Sequence, residues 1–137
     1  MELTRHQIRE IAFQTLFALN TNDQTDWKDF FQVLTSGKYG DDYPEYLHQL
    51  ISGVLEHKSE IDHTIEKYLA SSWSLERIAR TDLIILEIAI YEMVYVDDMP
   101  AKVSINEAIE LAKKFSDDRS RKFVNGILSH ALEELLK

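Results

Sequence analysis

The residues of this sequence best suited to chemistry are basic side chains gathered between positions 113 and 122. The formal net charge of the 137 residues is −9, yet a third of the 15 basic residues fall within these ten positions. We call them the basic cluster: Lys113, Lys114, Arg119, Arg121 and Lys122. Two aromatic residues, Phe115 and Phe123, lie inside it and directly after it. Cations beside aromatic rings suit single-stranded RNA, because cations neutralise phosphates while rings stack on unpaired bases.

The basic cluster is predicted to straddle a junction between two helices instead of following one helix face. Residues 116–118, Ser-Asp-Asp, interrupt the helical pattern and offer an N-cap to the next helix. The amides at the start of that helix would add hydrogen-bond donors for a phosphate. A solvated surface without a ligand is the competing explanation, since charge runs usually have that role. Asp117 and Asp118 either orient the cluster or weaken its charge.

Patterns typical of catalysis and metal binding are missing from the sequence. It has no cysteine, no HExxH pair, no GxSxG turn and no glycine-rich phosphate loop. The histidines are not paired one helical turn apart, and they are His6, His48, His57, His63 and His130. We therefore predict that the protein is not an enzyme and holds neither a metal ion nor a cofactor.

Three carboxylates, Asp82, Glu87 and Glu92, recur every five residues in the helix predicted around the apolar run 83–96. Five residues turn an α-helix by about 500°, so successive members point about 140° apart and cannot form a dyad. We expect these side chains to be solvated, salt-bridged or in contact with a partner. The run is far shorter than the roughly 20 residues of a membrane span, so it predicts a buried helix and no membrane insertion.

Apolar residues recur with helical spacing along almost the whole chain. With 45% hydrophobic residues, four glycines and two prolines, the sequence predicts an all-α protein of six or seven helices. These form one domain, residues 1–137, with subdomains 1–72 and 73–137 as a further possibility. The lack of cysteine and of a signal-peptide pattern at the N-terminus favours a cytoplasmic protein.

Several helix boundaries and packing roles follow from local patterns. A break is expected near Lys58, and the serines of segment 71–74 are predicted to cap the helix with the apolar run. Residues 104–107, Ser-Ile-Asn-Glu, match a capping box. Trp73 is interpreted as a core residue, as are Tyr91 and Tyr95.

One glycine lies inside a predicted helix. Gly126 costs the helix about 1 kcal/mol relative to alanine. Close packing of this position against another backbone would be a sufficient reason for a glycine.

Three segments together resemble the NusB family of transcription antitermination proteins. Residues 99–128, MPAKVSINEAIELAKKFSDDRSRKFVNGIL, are similar to its signature region of V-x-INEAIELAK-x-F followed by S-x-KFVNG. Residues 82–93, DLIILEIAIYEM, resemble its D-x-x-ILR-x-A-x-YE segment, with Glu87 at the place of the arginine. Residues 5–19, RHQIREIAFQTLFAL, resemble its first helix. The segments occur in the expected order, so the resemblance spans nearly the whole chain.

The resemblance implies a helical fold of two packed bundles without catalytic activity. Family members bind the boxA segment of nascent ribosomal RNA leaders together with NusE, a small-subunit ribosomal protein. The pair joins the RNA polymerase elongation complex with other Nus factors and opposes premature termination. The implied function is therefore that of an RNA-binding antitermination factor.

The resemblance and the basic cluster together predict the RNA-binding residues. They are Arg5, His6 and Arg9; Tyr68; and Lys113, Lys114, Phe115, Arg119, Ser120, Arg121, Lys122 and Phe123. The resemblance also implies that NusE docks near the central apolar helix. Since ribosomal proteins are generally basic, an acidic face would favour the encounter, and the predicted partner-binding residues are Asp82, Glu87 and Glu92.

Two other functions compete with this one. The first is a helical protein–protein adaptor without sequence-specific RNA binding. The second is an RNA methyltransferase, because NusB-like domains also occur fused to such enzymes, although we expect no cofactor-binding domain within 137 residues. The sequence leaves open whether the protein forms a homodimer.

Overall fold

The computed structural model describes residues 3–135, and their regular secondary structure is entirely helical. The prediction of an all-α protein is confirmed. Within these residues seven α-helices follow one another: α1 (Arg5–Thr21), α2 (Trp27–Leu34), α3 (Glu45–Glu56), α4 (Lys58–Lys67), α5 (Arg80–Tyr95), α6 (Ala101–Phe115) and α7 (Asp118–Leu135). A 3-10 turn, Leu75–Arg77, lies between α4 and α5. Each helix of the described part is too short or too polar to traverse a lipid bilayer.

The chain divides into two compact units, Met1–Gly53 and Val54–Lys137. The boundary falls inside α3, so this helix contributes to both units. The division suggested by the sequence, after residue 72, stays a prediction. Each unit buries apolar side chains of its own, such as Phe31 and Leu47 in the first and Ile85 and Leu128 in the second.

The first unit is built on the apolar face of α1. Ile8, Ala12 and Leu16, spaced four residues apart, are buried on that face. Thr4 starts the helix with a capping box, in which its hydroxyl accepts from the Gln7 amide at 3.1 Å and the Gln7 side chain accepts from the Thr4 amide at 2.9 Å. These two bonds satisfy amides that have no partner in the first helical turn.

The second unit is organised around α5. Every residue from 84 to 92 is buried, and α4, α6 and α7 all pack against this helix. The apolar run therefore forms a buried helix, as the sequence predicts. A helix enclosed on several sides is apolar around most of its circumference and shows little amphipathic pattern.

Three predicted helix boundaries differ in their outcome. The break near Lys58 is confirmed, since α3 ends at Glu56 and α4 begins at Lys58. The serine caps at 71–74 are wrong, because Ser74 precedes the 3-10 turn without a side-chain capping bond and α5 begins six residues later. The capping box at 104–107 is also wrong. Pro100 sets the extended backbone that precedes α6, so the helix starts before Ser104, which is buried inside it.

The three carboxylates of α5 are buried. Asp82, Glu87 and Glu92 are only 7%, 3% and 1% exposed, so the expectation that they are solvated is wrong. The salt-bridged alternative holds for Glu87, whose Oε2 lies 2.7 Å from Lys58 Nζ. Asp82 instead interacts with Ser120 of α7. Asp82 and Glu87 thus occupy separate environments, in agreement with their helical spacing.

Lys58 joins α4 to α5 by binding two carboxylates at once. Its Nζ also donates to Asp62 Oδ2 at 3.1 Å. Burial raises the pKa of Glu87 to about 8, and a hydrogen bond with Asp62 adds to this effect, while Lys58 opposes it. Asp62 Oδ1 is buried and accepts no hydrogen bond from the described residues, so a proton on Glu87 has an acceptor within the group. The single cation of Lys58 is therefore shared by two carboxylates, and the raised pKa favours a proton on Glu87.

We predict that this proton makes stability depend on pH. Because the pKa of Glu87 is raised from 4.5 to about 8 on folding, its stabilising contribution is complete below pH 4.5 and is lost as the pH rises through about 8. Urea unfolding measures the free energy of unfolding of wild type and of Glu87→Gln, which has no proton to release. Between about pH 5.5 and about pH 8.5 this free energy should fall by roughly 1–3 kcal/mol more in wild type than in Glu87→Gln. Equal pH dependence of the two proteins would contradict the prediction.

Candidate RNA interface

The junction between α6 and α7 is fixed by short hydrogen bonds. Asp117 Oδ1 accepts from the Ser120 amide at 2.9 Å, and this bond is the main cause of the lowered pKa of Asp117. Ser116 Oγ donates to Ser120 Oγ at 2.7 Å. The predicted cap at 116–118 is confirmed, since Asp117 precedes the first residue of α7 and binds the third amide of that helix.

The cap orients the cations of the basic cluster towards solvent. Lys113 and Lys114 end α6 with exposed side chains, and Arg119 and Lys122 are exposed in the first turns of α7. Arg121 is half-buried and forms an ion pair with Asp118.

The two aspartates of the junction therefore have different effects on the basic cluster. Asp117 positions the cluster by capping α7, whereas Asp118 neutralises part of its charge through Arg121. Both of the effects considered from the sequence are present.

Aromatic side chains accompany these cations, and Trp73 extends the set. Phe115 and Phe123 are partly buried. The ring of Phe123 lies 6.1 Å from the ring of Trp73, and the Arg77 guanidinium lies 5.8 Å from the Trp73 ring centre. Trp73 is 48% exposed, so its interpretation as a core residue is wrong. Its indole instead forms part of the surface beside α7.

A cleft of about 360 Å³ opens beside these rings in the second unit. It is lined by residues of the 3-10 turn region, of α5 and of the α6–α7 junction: Trp73, Arg77, Ile78, Ala79, Asp82, Ser116, Asp117, Arg119, Ser120 and Phe123. Rings and guanidinium groups of this kind could hold a base and its phosphate. The cleft therefore adjoins the basic cluster: Arg119 belongs to both, and Ser120 and Phe123 of the cleft lie next to cluster residues in sequence.

Asp82 forms part of the cleft wall. Burial raises its pKa, and a hydrogen bond with Ser120 opposes that effect, while the nearby charge of Asp117 adds to it. Its Oδ1 is buried and accepts no hydrogen bond from the described residues. Through this carboxylate, the buried helix α5 contributes to the wall of the cleft.

Two residues of this cleft, Trp73 and Arg77, are not among the functional residues predicted from the sequence. The segment SSWSLERIAR, residues 71–80, contains an aromatic residue and two arginines within eight positions. The basic cluster has the same combination of aromatic and basic residues. This combination is the sequence signal by which the segment could be predicted as a functional candidate.

The remaining predicted RNA-binding residues lie on other elements. Tyr68 is half-buried at the end of α4, with its ring 5.0 Å from that of His130 on α7. In the first unit, Arg5 and His6 are exposed; the Arg5 guanidinium lies 3.7 Å from the ring centre of Tyr46. Arg9 is only 3% exposed, which corrects its expected place on a binding surface.

The predicted partner-binding residues need a similar correction. Asp82, Glu87 and Glu92 were expected on an acidic face, but all three are buried on α5. A partner could not reach the Glu87 carboxylate without displacing Lys58 from it.

Comparisons with known proteins agree with this architecture. The NusB family model matches residues 6–133. The "Transcription antitermination protein NusB" of Levilactobacillus brevis is 55% identical over 141 residues, covering 98% of this chain and 96% of that protein.

Solved structures are similar as well. The NusB of T. maritima superposes with a TM-score of 0.82 at 33% identity, covering 98% of this chain and 94% of that one. A crystal structure of the antitermination factors NusB and NusE in complex with dsRNA matches with a TM-score of 0.75 at 25% identity, covering 93% and 96% of the two chains. With a family match over most of its length and relatives this similar, the chain belongs to the NusB family.

Proposed function

We propose that this protein is an RNA-binding transcription antitermination factor, which binds boxA of nascent ribosomal RNA leaders together with NusE and opposes premature termination. The observation that carries the proposal is the junction of α6 and α7, where a capped helix start presents exposed Arg119 and Lys122 beside the rings of Phe123 and Trp73. The name of the Levilactobacillus brevis relative and the solved complex of a NusB with NusE and RNA support it.

The proposed mechanism is that of an adaptor without catalytic activity. Cations of the basic cluster neutralise phosphates and set the position of the strand. Phe123 and Trp73 hold an unstacked base at the cleft, and Arg77 lies beside it for the adjoining phosphate. Arg5 and His6 are exposed on the first unit and are proposed as further contacts.

NusE and the transcription machinery complete the proposed assembly. A chain with a net charge of −9 attracts a basic ribosomal protein over a long range. Since the carboxylates of α5 are buried, other acidic residues supply this attraction. The RNA-bound pair then joins the RNA polymerase elongation complex with other Nus factors, which places the protein in the cytoplasm.

The first test measures RNA selectivity by fluorescence anisotropy. Wild type should bind a labelled boxA RNA more tightly than a scrambled strand, and NusE should strengthen that binding. Arg119→Ala/Lys122→Ala removes two exposed cations of the basic cluster and should weaken boxA binding about tenfold or more, because each charged contact contributes strongly.

The matched control for this test is Lys38→Ala/Lys102→Ala, which removes the same charge from exposed positions outside the cluster. It should bind boxA nearly as wild type does. Equal affinity of wild type for boxA and the scrambled strand, with or without NusE, would favour the protein–protein adaptor instead.

Salt dependence provides a second prediction. Contact with four or five phosphates gives a slope of roughly −3 for the logarithm of the association constant against the logarithm of salt concentration. The Arg119→Ala/Lys122→Ala variant should show a slope smaller in magnitude by about 1.4, since each phosphate on a single strand contributes about 0.7. Titrations between about 50 and about 200 mM KCl measure both slopes. A slope near zero for wild type would contradict the role of the basic cluster.

A third prediction concerns Trp73. Loss of a base-stacking ring typically weakens binding by about 1–3 kcal/mol, so Trp73→Ala should reduce boxA affinity by roughly 5- to 150-fold. Trp27→Phe leaves Trp73 as the single tryptophan, and RNA should quench the remaining fluorescence of that variant. Trp27 packs on Tyr43 and His48 in the first unit. Unchanged affinity in Trp73→Ala together with unquenched fluorescence in Trp27→Phe would exclude the cleft from the RNA site.

A further inference from the structure

Gly126 is a glycine that the described structure of this chain does not explain. It lies in the interior of α7, where glycine weakens a helix relative to alanine. It is exposed, and a Cβ at this position would meet no atom of the described structure within 4 Å. Packing of Gly126 against another backbone is therefore not found within residues 3–135. The missing side chain instead leaves the surface of α7 open to an approaching molecule at this position.

The surroundings of Gly126 form a gap between two pairs of rings. Phe123 and His130 lie three residues before it and four residues after it, a spacing that places all three on one helix face. The Phe123 ring is paired with Trp73 at 6.1 Å, and the His130 ring with Tyr68 at 5.0 Å. Phe123 and His130, each in one ring pair, are thus about 10 Å apart along α7, which is two helical turns. Between them, this helix face has no side chain at Gly126.

The chemistry of this face fits nucleic acid better than protein. Arg119 and Lys122 precede Gly126 with exposed cationic side chains, and the exposed side chains of Asn125 and Ser129 hydrogen-bond to each other at 3.2 Å. Protein interfaces centre on large apolar side chains. Among residues 3–135, the highly exposed large apolar side chains include one contributor to this face, Trp73, and none within positions 118–134.

We propose that the sugar–phosphate backbone of single-stranded RNA crosses α7 at Gly126, with one base against Phe123 and Trp73 and another against His130 and Tyr68. This inference rests on the proposed function and extends it to Gly126 and His130. The missing side chain lets a ribose approach the helix backbone closely. A Cβ at position 126 would hold the strand away and separate the bases from both ring pairs.

Gly126→Ala and Gly126→Leu test this assignment, because the open space around position 126 lets both variants fold. Alanine should raise the midpoint of thermal unfolding by about 2–5 °C, since it favours the helix. The same substitution should weaken boxA binding about fivefold or more, and leucine should weaken it further as the side chain grows. Circular dichroism measures the first effect and fluorescence anisotropy the second. A more stable protein with weaker RNA binding is the expected signature.

The matched control is His63→Ala, which also introduces alanine at an exposed helical position, on α4. It should leave RNA affinity unchanged. Wild-type affinity in both Gly126 variants would overturn the assignment while the proposed function stood, because wild type would still select boxA. A lower unfolding midpoint in Gly126→Ala would overturn it too, by revealing an internal role for the glycine. Weakened binding of NusE with unchanged binding of RNA alone would assign the face to a protein partner instead.

Discussion

The enclosure of α5 by α4, α6 and α7 is the constraint on which the rest of the second unit depends. A helix packed on three sides leaves little room for water, so its polar side chains need partners within the protein. Glu87 does so with Lys58, while Asp82 does so with Ser120. The buried carboxylates of α5 therefore determine which side of α4 and of α7 faces inwards. The opposite side of each of these helices then faces solvent.

Ser120 transmits this constraint to the surface. Its hydroxyl accepts from Ser116 and interacts with Asp82, while its amide donates to Asp117. The first turn of α7 is thereby attached to both α5 and the end of α6. Arg119 and Lys122 flank Ser120 in sequence and are exposed because Ser120 is buried. A surface held by bonds of this kind is preorganised, so binding a strand requires little ordering of the backbone.

The sequence predicted the helices and the capped junction because apolar periodicity and cap residues are local signals. It misplaced the carboxylates of α5, since a helix that is apolar on most sides shows no polar face from which exposure can be inferred. Arg9 was expected at the surface because an arginine usually is, and its burial depends on tertiary packing. The cleft at Trp73 brings together segments more than thirty residues apart in sequence, which no local pattern records. The helix penalty of Gly126 is visible in the sequence, whereas the open space around it depends on tertiary structure.

The ion pair of Arg121 with Asp118 also has a consequence for selectivity. A phosphate that reaches Arg121 must compete with a carboxylate already bound there. Around this small cationic area the remainder of the chain is strongly acidic, and it repels any polyanion that does not follow the right path. The net charge of −9 therefore weakens the attraction of this protein for RNA everywhere except at the basic cluster, so the cluster limits where a strand can bind.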